Sequence, residues 1–243
     1  MTYGVVIPVY NGKDTIVRAV RSCLGQTVAP EKVVIVDDGS TDNTPKVVYD
    51  EFMVRPNPQI MLVSLPENKG RSAARNRGIR DLMMHADVSH IGFLDSDDWS
   101  YCYRFEHHLK AIGDRGSSAV AVSGRLHWWD EVNSVFLLDS HYSYPEVKGS
   151  SHAASIMSRG GVPACPSCML VRADACVGDP FNVDFEPAED FEFLLQLLQK
   201  GEYFNTRVVV GAYSVKPHAS ESISRQQERK QAAMHNHFKG QLR

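Results

Sequence analysis

The chain has 243 residues with a formal net charge of −3; 43% are hydrophobic, 23% charged and 9% aromatic. Such a length and apolar content suit one large domain, or one core with a smaller annex, suffice to bury a sizeable core, and exclude a disordered chain. No apolar run approaches the roughly 18–20 residues that span a bilayer, and the near-neutral balance excludes a dedicated nucleic-acid binder, which would show a basic excess.

The first hundred residues alternate strand-like and helix-like patterns. Val5, Val6 and Ile7 open a first strand, which Pro8 is expected to end because it cannot donate to a sheet ladder. The surrounding stretch, 4–10, is too short and proline-broken for a signal peptide, and no basic segment precedes it. Ile16, Val17, Val20 and Leu24 recur near i, i+4, i+8 and predict a helix over 14–25. Residues 33–36 are an uninterrupted β-branched run, the pattern of a parallel strand buried on both faces. A helix over 43–54, capped near Asp42 or Asn43, a strand at 60–65 and a helix over 70–84 follow. Residues 90–94 form a fourth strand that stops at an acidic cluster. This β-α-β-α order implies an α/β fold with a mostly parallel, Rossmann-like sheet and right-handed crossovers.

After residue 100 the periodicity weakens. A helix at about 102–113 and a strand at 118–123 are expected, then Trp128, Trp129 and a turn. Residues 140–163, rich in Ser, Gly, His and Pro, read as loop with a short helix at 152–158. Strands are expected at 169–171 and 208–211, an apolar helix at 191–198, and a polar helix at 224–242 with Met234, Phe238 and Leu242 on one stripe. The internal boundary falls near residue 100, within one domain covering 1–243.

In an open parallel sheet, ligands bind outside the carboxyl ends of the strands. Those ends are polar here: Pro8-Val9-Tyr10-Asn11, Asp37-Asp38-Gly39-Ser40, Asn68-Lys69-Gly70-Arg71 and Asp95-Ser96-Asp97-Asp98. Each alone is consistent with a solvated turn or a helix cap. DDGSTDNT is not an EF-hand loop, since it lacks the alternating ligands and the closing Glu. Four clusters converging on one edge are another matter. Carboxylates gathered there need a counter-charge, for which a divalent metal holding a diphosphate, with Arg71 and Arg75 beside it, is the natural partner.

The order PVYN, DDGSTDNT, NKGRSAARNRG and DSDD, with SCLGQT before the second strand, closely resembles the family 2 glycosyltransferases of GT-A fold. The likeness covers residues 3–100 densely and 163–222 loosely. It implies a metal-dependent (Mn or Mg) inverting transferase that takes sugar from a nucleotide sugar, a UDP-sugar, to a saccharide or lipid-linked saccharide acceptor. By the same resemblance Pro8, Val9, Tyr10 and Asn11 line the nucleobase pocket and Asp38 bonds the base. Asn68, Gly70, Arg71 and Arg75 flank the nucleotide, Asp95 and Ser96 lie near the ribose, and Asp97 is the principal metal ligand. Asp98 reads simply as a turn former. The family's acidic pair at a helix start matches Glu189-Asp190, with Asp190 as general base, although such a pair also suits a helix N-terminus. His218, in VKPHASES, matches a histidine that reaches metal or diphosphate, against the reading of an incidental loop residue; Lys216 is a phosphate candidate on the same terms. The half up to about residue 100 then binds nucleotide, and the half after it, with the C-terminal helix, binds acceptor.

Other features carry less. Cys165-Pro166-Ser167-Cys168 invites a zinc or thioredoxin-like reading, but no second CxxC or spaced His pair accompanies it. The five cysteines, odd in number and irregularly spaced, read as buried thiols of a reducing compartment. A cytoplasmic location follows. Trp128 and Trp129 suit either sugar stacking or burial. The basic residues Arg225, Arg229, Lys230, Lys239 and Arg243 suit a solvated helix face or peripheral contact with anionic lipid at the inner membrane face. Two rival functions stay open: a nucleotidyltransferase, whose glycine-rich basic loop PVYNGKD does not match, and a non-catalytic sugar-nucleotide binder, against which Asp97 and Asp190 argue together. A dehydrogenase is disfavoured because no G-x-G-x-x-G follows the first strand.

Overall fold

The computed structural model describes residues 1–55, 57–142, 165–185 and 188–215, with 138–142 followed by backbone alone. Strand β1 (Tyr3–Val9) lies between β2 (Lys32–Asp37) and β4 (His90–Phe93) and is parallel to both, while β3 (Ile60–Ser64) adds to β2. Chain order therefore reverses at the β1/β4 boundary, where an open α/β sheet forms its ligand crevice.

β1 does not end at Pro8. Pro8 stays in register with Val36, and Asp38 N–H bonds the Val9 carbonyl, so odd residues of β1 point their backbone groups at β2. Pro8 faces the β4 side instead, where the last bond is Leu94 N–H to the Val6 carbonyl. The missing N–H costs no ladder bond there.

The sheet continues past residue 100 in the order β3-β2-β1-β4-β8-β6-β9-β5, with β7 on β6. Here β5 is Trp99–Ser100, β6 Ala119–Asp130, β7 Val135–Tyr142, β8 Met169–Arg172 and β9 Glu202–Val215. Pairings β1–β2, β1–β4, β2–β3 and β6–β9 are parallel; β4–β8, β6–β8, β6–β7 and β5–β9 are antiparallel. Parallel order thus dominates the first half and mixes with antiparallel order in the second.

Both faces of the sheet are covered. Val6, Val34, Val36 and Phe93 pack with α3 (Arg71–His85) and α5 (Glu189–Leu198). Val5, Ile7, Val33 and Ile35 pack with α1 (Ile16–Leu24), α2 (Thr44–Val48) and α4 (Arg104–Arg115). Alternate residues of each strand feed opposite cores, which explains the unbroken β-branched runs. Arg104 is buried at the seam, donating to the Phe93 and Met169 carbonyls at 3.0 and 2.9 Å and to Ser100 Oγ at 2.9 Å. It fixes the end of β4 against β5 and β8, just before the acidic turn.

Several elements differ from expectation for identifiable reasons. The helix expected over 43–54 is α2 followed by a π-helical turn, Tyr49–Met53; of the two capping candidates Asn43 is the N-cap, without a side-chain cap bond, while Asp42 takes the Thr44 N–H at 2.8 Å. The strand expected at 118–123 runs on through Trp128 and Trp129 to Asp130 and turns back as β7. The strand expected at 208–211 is part of β9, whose polar Asn205-Thr206-Arg207 imitates a turn but forms a bulge: Arg207 has φ 60° and donates to Asn205 Oδ1 at 2.7 Å. The helices expected at 152–158 and 224–242 lie outside the described residues. Among the described residues, no helix is long and apolar enough to cross a membrane.

Candidate active site at the carboxyl edge of the sheet

Because β1 to β4 run parallel, the loops after Val9, Asp37, Ser64 and Phe93 open on one edge, and side-chain-to-backbone bonds stitch them together. Asn11, at φ 53°, accepts from Thr41 N at 2.8 Å and Asp42 N at 3.2 Å, while its own N–H donates to Ser40 Oγ at 2.8 Å. Gly12 N–H donates to Thr44 Oγ1 at 2.9 Å. Asn, Ser and Thr are needed in these loops because their short side chains satisfy backbone groups that no ladder reaches.

Asp38 is buried and holds the third loop, its two carboxylate oxygens accepting the N–H groups of Lys69 (2.8 Å) and Gly70 (2.9 Å). Asn68 Oδ1 also accepts from Gly70, at 3.2 Å. Gly39 permits this approach: its φ is 68°, and a Cβ there would stand 2.5 Å from the Glu67 carbonyl carbon. Of the four residues expected at the base pocket, Pro8 and Val9 are buried and Tyr10 and Asn11 exposed.

The acidic turn is anchored from below. Asp95 N–H bonds Ser167 Oγ at 2.7 Å, and Asp98 N–H bonds the Asp95 carbonyl at 3.1 Å. Asp98 is buried; its Oδ1 takes the Ser214 N–H at 2.9 Å, and Oδ2 has no hydrogen-bond partner among the described residues. Asp98 is therefore a turn former that also anchors β9. Ser96 is half-buried opposite Gly12, and the Asp97 side chain is exposed at the rim.

Arg75 joins this turn to the second half of the chain. It is 2% exposed and donates to Asp95 Oδ1 at 2.8 Å and to Glu189 Oε1 at 3.2 Å. Arg71, half-exposed, reaches the same Glu189 oxygen at 3.5 Å. Burial would lower the Arg75 pKa, but Asp95 and Glu189 outweigh it and hold the guanidinium charged. In return Arg75 overcomes the burial of Asp95 and keeps that carboxyl below its ordinary range. Asp190 follows on the first turn of α5, 8% exposed, with Oδ1 accepting the Phe191 N–H at 2.9 Å.

The structure also brings in residues that sequence reasoning left aside. Burial, then the charges of Cys168, Asp95, Asp98 and Asp190, push the Cys165 thiol well above its ordinary pKa. The Tyr213 hydroxyl is raised by burial and by Asp98, Cys165, Asp95 and Asp97. Alternation along β6 then separates the tryptophans: Trp128 is in register with Tyr213, whereas Trp129 on the other face packs edge-on to Trp99 and Phe136 at 5.4 and 4.9 Å. The CPSC turn is a support, with Ser167 under Asp95 and Cys168 Sγ donating to the Cys165 carbonyl at 3.2 Å. Cys23, Cys168 and Cys176 are buried thiols as expected, but Cys102 is exposed on the loop before α4.

The donor chemistry of the turn fits a hard divalent cation. The turn places three carboxylates, Asp95, Asp97 and Asp98, within four residues; burial first, then the charges of Asp97 and Asp95, drive the Asp98 carboxyl well above the usual range. Among the described residues no group of three His, Cys, Asp or Glu side chains forms a complete metal site. Lys216 and His218 lie outside the described residues.

Comparison with known proteins bears on the family and the fold. A chondroitin synthase from Escherichia coli is 38% identical over 203 residues, covering 82% of this chain and 27% of that protein. A chondroitin synthase from Pasteurella multocida is 30% identical over 201 residues, covering 82% and 19%. The chain thus spans about a fifth to a quarter of these relatives' length. S. aureus TarS 1–349 in complex with UDP superposes with a TM-score of 0.65 at 20% identity, over 95% of this chain and 65% of that one. The mannosyltransferase PcManGT from Pyrobaculum calidifontis, in complex with GDP-Man and Mn2+, gives 0.63 at 17% identity, over 96% and 68%. These likenesses show the GT-A fold. The model of the glycosyl transferase family 2 matches residues 4–176, which take in all four edge motifs, and the chain belongs to that family.

Proposed function

We propose that this chain transfers a sugar, with inversion, from a UDP-sugar to a hydroxyl of a saccharide or lipid-linked saccharide. The observation that carries the reading is the Asp95–Arg75–Glu189 bridge, which brings the acidic turn and the start of α5 to one site. The chain acts as one unit, residues up to about 100 binding nucleotide and the remainder acceptor.

Loops 8–11, 38–41 and 68–71 form the nucleotide cradle. Asp38 acts in it by fixing the Asn68–Gly70 backbone and by facing the base, with Asp95 and Ser96 toward the ribose. Asp97, exposed at the rim, would hold a divalent cation together with the diphosphate, and His218 is the further protein ligand proposed. Bound there, Mn or Mg neutralises the charge that develops on the departing diphosphate. The acceptor oxygen attacks the anomeric carbon from the face opposite the diphosphate, and its proton passes to Asp190 as that bond forms. The bond from the anomeric carbon to the diphosphate breaks with its electron pair on UDP. Glu189, clamped by Arg75 and Arg71, positions Asp190. Support for the donor class comes from neighbours of the same fold solved with UDP, UDP-GlcNAc, and GDP-Man with Mn2+.

The test is a panel of UDP- and GDP-sugars, scored for metal-dependent binding and for nucleoside diphosphate release with saccharide acceptors. Release of UDP is expected, and Asp97→Ala should weaken Mn2+ and UDP binding together. Exclusive use of GDP-sugars would overturn the donor; pyrophosphate release from UTP and a sugar phosphate would replace transfer by nucleotidyl transfer.

A further inference from the structure

Arg18 belongs to none of the edge motifs, yet its guanidinium reaches the turn that carries Asp97. We propose that Arg18 is a positioning residue for Asp97 that locks the metal-bearing turn to the hairpin of the acceptor half. The proposal rests on the reading of Asp97 as a metal ligand.

Four contacts carry it. From α1, Arg18 Nη2 donates to the Asp97 carbonyl at 2.6 Å, to Glu131 Oε1 at 2.8 Å and to Ser214 Oγ at 3.1 Å. Arg18 Cζ also lies over the Trp99 ring, 4.3 Å from its centroid, a cation–π contact. Ser214 Oγ donates to the same Asp97 carbonyl at 2.6 Å, and Ser214 N–H holds Asp98. The peptide after Asp97 is therefore gripped by two donors, one from α1 and one from the end of β9.

The Asp97 side chain stands exposed at the rim, and these contacts hold the residue through its backbone carbonyl. Glu131, in the turn between β6 and β7, neutralises the guanidinium and ties the lock to the acceptor half, and its own N–H bonds the Val215 carbonyl at 3.1 Å. Arg18 thus holds in register the turn bearing the proposed ligand and the last described residues of β9. A lysine does not reproduce this, because its ammonium lacks the planar guanidinium that lies over the Trp99 ring while bonding the Asp97 carbonyl and Glu131.

The experiment is calorimetric titration of Mn2+ into the UDP-saturated protein, alongside UDP binding in EDTA and thermal melting. Arg18→Ala should raise the Mn2+ dissociation constant about tenfold and leave metal-free UDP binding within about twofold, with Arg18→Lys in between. Ser214→Ala and Glu131→Gln, which alter little volume, should each shift Mn2+ affinity in the same direction by about two- to fourfold, so the idea does not hang on one variant folding. Unchanged Mn2+ affinity across these variants, with melting temperature lowered, would reduce Arg18 to a structural clamp and overturn the proposal. Asp97→Ala in the same titration separates the two readings: if it too binds Mn2+ normally, the metal-ligand assignment of Asp97 fails; if it alone loses Mn2+, only the Arg18 role fails.

Discussion

Arg75 and Glu189, 114 residues apart in the chain, form a salt bridge of 3.2 Å with each side chain 2% exposed. Arg75 is at the same time 2.8 Å from Asp95, so one guanidinium neutralises a carboxylate from each half of the molecule. Neither charge is tenable there alone.

Removing the cation should therefore cost more than a surface ion pair would. Arg75→Met leaves Glu189 buried with, among the described residues, only the 3.5 Å contact to the half-exposed Arg71, at an expected loss of about 3 kcal/mol in urea unfolding at neutral pH. Arg75→Met/Glu189→Gln should recover part of that loss, because the uncompensated charge is gone. Equal losses in the single and double variants would mean that packing, not charge pairing, sets the cost.

The two acidic residues at the start of α5 should separate experimentally. Asp190→Asn keeps an oxygen for the Phe191 N–H and is expected to lower transfer by roughly 100- to 10,000-fold, with UDP·Mn2+ binding within about twofold of wild type. Glu189→Gln should instead lower stability and activity together, through Arg75. Rapid-quench transfer rates and calorimetry on both variants check the split; full activity in Asp190→Asn would remove it as the base.

Legibility in the sequence followed the physics of each region. The parallel half was readable because strands buried on both faces show as runs such as 33–36, and loops at their ends show as polar clusters. Glu189 and Asp190 were readable only through the family's pattern, since an acidic helix start is also ordinary capping chemistry. Beyond residue 100 the signal failed where side chains serve two structures at once. Asn205-Thr206-Arg207 looks like a turn and is a bulge; Trp128 and Trp129 look alike and face opposite sides. Ser167 drew attention for its cysteine neighbours, though its hydroxyl is what Asp95 uses. Arg18 had no signal at all, because a lone arginine on an amphipathic helix is the commonest of surface residues.

Gly39 offers a backbone test of the nucleotide cradle. At φ 68° and with a Cβ position 2.7 Å from Asn68 N, Gly39→Ala strains its own backbone and displaces the loop that Asp38 holds. The expected cost is roughly 1–3 kcal/mol in stability, with UDP affinity lowered by more than the stability loss alone would cause at saturating folded protein. A variant that loses stability but binds UDP as wild type would detach the 68–70 loop from the nucleotide.

The last expectation concerns pH and lies away from the site. His108, on α4, is fully buried, and neither ring nitrogen has a hydrogen-bond partner among the described residues. Burial, reinforced by the charge of Arg104 and by His107, pulls its pKa well below the ordinary value of 6.5. The folded state thus keeps the ring neutral where the unfolded chain takes up a proton. Above about pH 6.5 the two states bind alike and His108 contributes nothing to pH dependence; as pH falls below that value, stability should drop by about 1.4 kcal/mol per unit until the folded-state pKa is reached. His90, whose pKa burial also lowers, adds to the same slope, so the informative quantity is the difference between wild type and His108→Leu. Leucine fills much of the ring's space without unpaired polar atoms, and should be at least as stable as wild type at neutral pH and flatter between about pH 5 and 6.5. Parallel urea-unfolding profiles for the two proteins would show instead that the buried ring is charged in the fold, which would demand a partner for it beyond Phe105, whose ring it meets edge-on at 6.3 Å.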